Sequence, residues 1–372
     1  MSTLILEPFA MNSLLLDRLD GGSSSKLSDS EDSIWRSRSS SSDYNSLPEV
    51  PSFSPVERTR AVVDCSDPRE VVARVARCLQ KLSIVANFDS ERAYFFAETV
   101  DRAKFYIRLY KCDGARISVE VQRLDGHHAV SLVEYARAIV AAARGGEVDE
   151  GMLLAKKSSS LNYIPAYTDD VVCAEYLTHT AELLRSHRSD AVLLGVESLL
   201  LLTDRDRSQV SPHAAEAVLR GRGNTVIKDF IHKCLRGPPA ASSDGEDDFD
   251  RRQGEIMRNF ALAVLGNSLQ TASDVKCPML SSLVRSDEWM ERSSGLVDVL
   301  LRELSEARDR CHGAYHAARC LNVLLDSSPA MKRTLIEREL IGMMKKSRAV
   351  GRKRHSLLAK ECDAALALMA DV

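Results

Sequence analysis

The chain has 372 residues, enough for two or three domains with cores of their own. Its hydrophobic fraction is 44% and its aromatic fraction only 5%, so the cores must rest on Leu, Val, Ala and Ile, which favours packed helices over a β-sandwich. A formal net charge of −3 lacks the basic excess of nucleic-acid-binding domains and speaks against such a role for the chain as a whole.

The N-terminal region divides in two. Positions 3–19 hold Leu4, Leu6, Phe9, Leu14, Leu15, Leu16 and Leu19, the makings of a short docking helix. They lack a basic n-region and include Glu7, Pro8 and Asp17, so no secretory signal is expected. A Ser- and Pro-rich stretch follows and reads as disordered, because it cannot bury enough apolar surface to offset chain entropy. The disordered tail is expected to span 1–63. Ser39, Ser40 and Ser41 stand beside Arg38 as candidate phosphorylation sites, with an inert solvated tail as the equal alternative.

Order is expected from 64 to 146. In SDPREVVARVARCLQKL (66–82), Ser66 or Asp67 can cap a helix, Pro68 suits its first turn, and Val71, Val72, Val75, Cys78, Leu79 and Leu82 fall on one face. Three strand-like segments follow at 91–98, 104–111 and 116–123. In the second, Phe105, Ile107 and Leu109 alternate with Tyr106, Arg108 and Tyr110; in the third, Ile117, Val119 and Val121 alternate with polar residues. Asp113-Gly114 signals an antiparallel hairpin turn. HHAVSLVEYARAIVAAAR (127–144) becomes a helix ending at Gly145-Gly146. The order of helix, three or four antiparallel strands and helix describes a small α+β module.

KFYIRLYKCDGARISVEVQRLDGHHAVSLVEYARAIV (104–140) resembles the kinase-associated 1 domain, found at the C-terminal end of several protein kinases. The resemblance implies an α+β fold, contact with anionic phospholipid or docking to a kinase-type partner, and a surface including Arg108, Arg116 and Arg123. No kinase motif accompanies it: the sequence has no glycine-rich phosphate loop, no VAIK-like strand, no HRD and no DFG. Exposed aromatics beside Arg108 suggest an RNA-binding sheet, but the order of elements does not match that fold.

A linker is expected at 147–170, then helices over 171–372. The segments 173–187, 190–204, 254–270, 296–306, 312–328, 333–347 and 355–369 all read as helical, with an acidic loop inserted at 236–252. The apolar run 191–203 is interrupted by Glu197 and is too short to cross a bilayer core of about 30 Å, so no membrane span is expected. Asp326 and Asp371 end similar helices at a spacing suited to a repeat of roughly 40–47 residues. LLRSHRSDAVLLGVESLLLLT and RNFALAVLGNSL resemble armadillo repeat helices, with HEAT-type pairing as the alternative. The resemblance implies a solenoid whose concave surface binds an extended protein partner; an irregular bundle is the plainer reading.

Nine cysteines, Cys65, Cys78, Cys112, Cys173, Cys234, Cys277, Cys311, Cys320 and Cys362, form no CxxC pair. They read as reduced, mostly buried thiols of a cytoplasmic or nuclear protein. His312, His316 and Cys320 share a helix face, but a structural zinc site needs four ligands, so repeat packing outweighs a metal. His127-His128 reads as a solvated turn, and GRGN (221–224), which lacks a GK[ST] ending, as a turn between helices. No cofactor is expected. The basic stretch 345–355 carries Lys345, Lys346, Arg348, Arg352, Lys353 and Arg354 without an acidic interruption. These are the candidate residues for an anionic partner, against the plainer reading of a solvated helix edge. The expectation is a non-enzymatic adaptor, with an anionic-membrane or nucleic-acid binder as the alternative and an unrecognised enzyme last.

Overall fold

The computed structural model describes residues 47–50, 59–112, 116–125, 129–147, 170–223, 225–237, 248–275, 280, 282, 286–292, 295–327 and 329–370. Ser39, Ser40 and Ser41, the turn at Asp113-Gly114 and the pair His127-His128 lie outside them.

Asp67 starts α1 (Pro68–Lys81) as the sequence requires. Its side chain accepts a hydrogen bond from the Arg69 N–H, and Pro68 occupies the first turn, where a missing N–H costs nothing. Val71, Val75, Cys78 and Leu79 are buried along one face. β1 (Arg60–Val63), β2 (Val85–Asp89), β3 (Tyr94–Glu98), β4 (Lys104–Cys112) and β5 (Arg116–Asp125) form one antiparallel sheet in the order β1-β5-β4-β3-β2. Ile107 stands opposite Val121 and Leu109 opposite Val119. These residues face α1 and α2 (Ala129–Ala143) in a shared core with Phe95, Phe105 and Ile139.

The sheet corrects the expected meander in two ways. It has five strands, and β1 lies inside the expected tail. Leu47 also joins this core, and the Lys111 N–H donates to the Pro48 carbonyl at 2.8 Å. Four residues, RAVV, are too few for alternation to register, and VANFD in β2 carries Ala, Asn and Asp, which are weak strand formers. Tertiary pairing supplies what local preference does not.

The remaining elements among the described residues are helices: α3 (Asp170–Leu184), α4 (Ser189–Thr203), α5 (Ser211–Arg220), α6 (Thr225–Arg236), α7 (Asp248–Asp274), α8 (Asp287–Met290), α9 (Leu296–Ser305), α10 (Cys311–Ser327), α11 (Pro329–Glu337), α12 (Leu340–Arg354) and α13 (Ser356–Met369). Gly221, Arg222 and Gly223 lie between α5 and α6, with Gly221 capping α5 in the left-handed region at φ 70°, and Asn224 falls outside the described residues. α7 begins within the expected acidic loop. The expected helix 333–347 is broken at Glu339, which has φ 62°, so α11 and α12 are separate and the basic stretch up to Arg354 is helical. One core runs from Ala181 in α3 to Met369 in α13. α7 packs against α4, α5, α6 and α10, and α10 against α13. No described helix is long and apolar enough to cross a membrane.

A buried charge fixes the centre of this core. Glu303 of α9 is 1% exposed and pairs with Arg258 of α7 and, at 3.2 Å, with Arg310. Two guanidinium groups offset the desolvation of one carboxylate, so the network ties three segments into one register.

Candidate functional site at the seam between sheet and helices

The basic stretch lies where the sheet module meets the last helices. The chain leaves α1 through Ser83, a fully buried residue in the left-handed region at φ 57°. That conformation costs a non-glycine residue about 1 kcal/mol or more. It places the Ser83 hydroxyl at the start of α13, where Oγ accepts from the Leu357 N–H at 2.8 Å and lies 3.0 Å from Ser356 Oγ. The Ser356 hydroxyl donates to the Lys81 carbonyl at 2.7 Å. With that proton committed, Ser83 must be the donor to Ser356. The Gln80 side chain adds a bond to the Arg352 carbonyl at 3.1 Å.

A second chain of hydrogen bonds runs through two buried imidazoles. His355 caps α13: its Nδ1 accepts from the Leu358 N–H at 3.2 Å. Nδ1 therefore carries no proton, and Nε2–H donates to His312 Nδ1 at 3.0 Å. His312 must then hold its own proton on Nε2, which donates to the Glu98 carbonyl of β3 at 3.2 Å. Every ring nitrogen is satisfied only when both rings are neutral. Burial first, and the Arg102 guanidinium second, hold His312 at about 4; a backbone bond to Glu98 and the Asp101 charge oppose them. His355 lies well below the ordinary imidazole value, from burial first and His312 second.

Above this seam α12 shows its outer face to solvent. Leu340, Met344, Ser347 and Gly351 are buried on its inner side. Lys345, Lys346, Arg352 and Lys353 are exposed on the other. Arg348 pairs with Asp363 of α13 at 3.1 Å, and Arg352 lies 3.6 Å from the same carboxylate. Arg354 turns away and donates to the Arg308 carbonyl at 3.0 Å. The cations at 352–354 also suit the negative end of the helix. Of the six residues singled out in the sequence, four thus share the exposed face, while Arg348 and Arg354 serve as struts on its flanks.

Arg108, Arg116 and Arg123 do not converge. Arg108 is half-buried on the sheet face away from the helices, its guanidinium 5.3 Å from the Tyr106 ring centroid. Arg116 has the same parity four residues before Glu120, the residue opposite Arg108, whereas Arg123 has the parity of the core-facing Val121. His312, His316 and Cys320 share α10, but His312 is engaged by His355, and the Cys320 thiol is buried and pushed up to about 12 by desolvation. No group of three metal-ligating side chains occurs among the described residues. A cleft of about 400 Å³ between α3 and α5 is lined by Cys173, Thr178 and His213 and edged by the Glu216–Arg222 ion pair at 2.8 Å. His355 and Ser83 are not legible as site residues in the sequence, because their partners are remote in the chain and histidine is not a residue that marks a helix cap.

A scan against protein-family models, a search of curated proteins and a search of solved structures each found no match.

Proposed function

We propose that the protein is a non-catalytic adaptor in which a module of kinase-associated 1 type is joined to a helical array of armadillo or HEAT type. The observation that carries this reading is the exposed cationic face of α12, backed by the hydrogen-bonded seam. The helix, antiparallel sheet and helix of the module support its half of the reading. The continuous core from α3 to α13 supports the other, since repeat units bury their faces only against neighbours. The adaptor binds a protein partner reversibly and leaves it chemically unchanged.

The test is immunoprecipitation of the full chain from its own cells, followed by reconstitution with each purified candidate partner. Reversible binary binding without conversion of the partner supports the adaptor. Failure of every purified candidate to bind, or its chemical conversion by the chain, overturns it.

A further inference from the structure

The exposed face of α12 has a finer pattern than a run of like charges. On a helix with 3.6 residues per turn, residues seven apart lie almost above one another, about 10.5 Å apart. Lys345 and Arg352 therefore form one row, and Lys346 and Lys353 a second. Between the rows lie Gly342 and Ala349, both exposed, also seven apart. Nothing lies within 4 Å of where a Cβ on Gly342 would stand, so the space over it is open. The face is thus a shallow trough floored by small residues and walled on each side by two cations. Asp363 flanks one wall, holding Arg348 and standing 3.6 Å from Arg352. Glu339 is exposed just before the helix begins.

We propose that this trough binds an extended acidic protein segment carrying two acidic doublets separated by one residue. An extended chain rises about 3.3 Å per residue and sends successive side chains to opposite sides. Laid along the trough, the first doublet meets Lys345 and Lys346, one on each wall. The second, three residues on and about 10 Å away, meets Arg352 and Lys353. The small floor lets the peptide backbone approach. The face carries no aromatic ring on which a nucleobase would stack and no Asn or Gln to read a base edge. Its exposed apolar residues are only Gly342 and Ala349, neither of which would enter a lipid layer. Those features favour an acidic protein segment over a nucleic acid or a membrane.

The inference rests on the adaptor reading and names the chemistry of its partner. Its test uses the full chain and synthetic probes, so its failure is separable from failure to find a cellular partner. Fluorescence anisotropy would compare a labelled peptide containing Asp-Asp-Gly-Asp-Asp with one of equal composition whose doublets are six residues further apart. Phosphatidylserine vesicles and oligouridylate form the other arms. The expected result is at least about tenfold preference for the close-spaced peptide, weakening with salt as an electrostatic contact must. The Lys345→Glu/Lys346→Glu variant should lose that binding at least about tenfold, while Arg348→Ala, already committed to Asp363, should change it less than about threefold. These lysines are exposed, and an unchanged circular dichroism spectrum would confirm folding. Equal affinity for the two peptides, no loss in the double variant, or tighter binding to vesicles or oligouridylate overturns the proposal.

Discussion

His312 and His355 satisfy each other only as neutral rings, and this fixes how stability responds to acid. Unfolding releases both to an ordinary value of about 6.5, whereas the folded protein holds His312 at about 4 and His355 well below 6.5. Their folded values are depressed, so the unfolded chain takes up protons first. Stability is fully present above about pH 6.5 and falls as the pH drops from there towards 4, by on the order of 3 kcal/mol for His312 alone. Urea unfolding at pH 7.5, 6 and 5 should show this decline, and His312→Gln should flatten it. Ser83 gives a second test at this scale. Ser83→Ala keeps the left-handed backbone but removes the hydroxyl between Leu357 and Ser356, so a loss of about 1–3 kcal/mol is expected in chemical denaturation. Neither feature was legible in the sequence. The spacing of His312, His316 and Cys320 drew attention to one helix face, but the partner of His312 lies on a different helix, and local spacing carries no record of such pairs.

The helices show what local patterning does and does not encode. The Asp67-Pro68 start of α1 was legible because cap and first turn are local chemistry. The break between α11 and α12 was not, because Glu339 adopts φ 62° without a glycine or proline to announce it. Close approach of α12 and α13 explains Gly351: a Cβ there would stand 2.6 Å from the Ala359 nitrogen and 3.0 Å from its Cα. Gly351→Ala should therefore cost about 1–3 kcal/mol in thermal or chemical denaturation, although alanine is the better helix former. Glu303→Ala takes the carboxylate from the mostly buried Arg258 guanidinium, while Arg310 keeps Glu306, and a loss of about 3 kcal/mol is expected by the same measurement.

At the scale of the molecule, residues 41–372 form one compact unit. The seam explains this: side-chain hydrogen bonds donated by Gln80, His312 and Ser356, and one accepted by Ser83, join segments far apart in the chain. The α+β order and the helical half were legible because each rests on periodicity, 2 for strands and 3.6 for helices. The seam was not, because it is built of single polar residues with no period. The cationic stretch was visible as a charge run, yet only the helix sorts Lys345, Lys346, Arg352 and Lys353 onto the outer face and Arg348 and Arg354 to the flanks.

Under the proposed function, this outer face is where the adaptor meets its protein partner. Lysine acetylation footprinting of the full chain, free and in complex with a purified partner, reads that contact one lysine at a time. The expected result is protection of Lys345, Lys346 and Lys353 in the complex, with exposed Lys233 on α6 reacting as before. Unchanged reactivity of all three α12 lysines in a formed complex would contradict it.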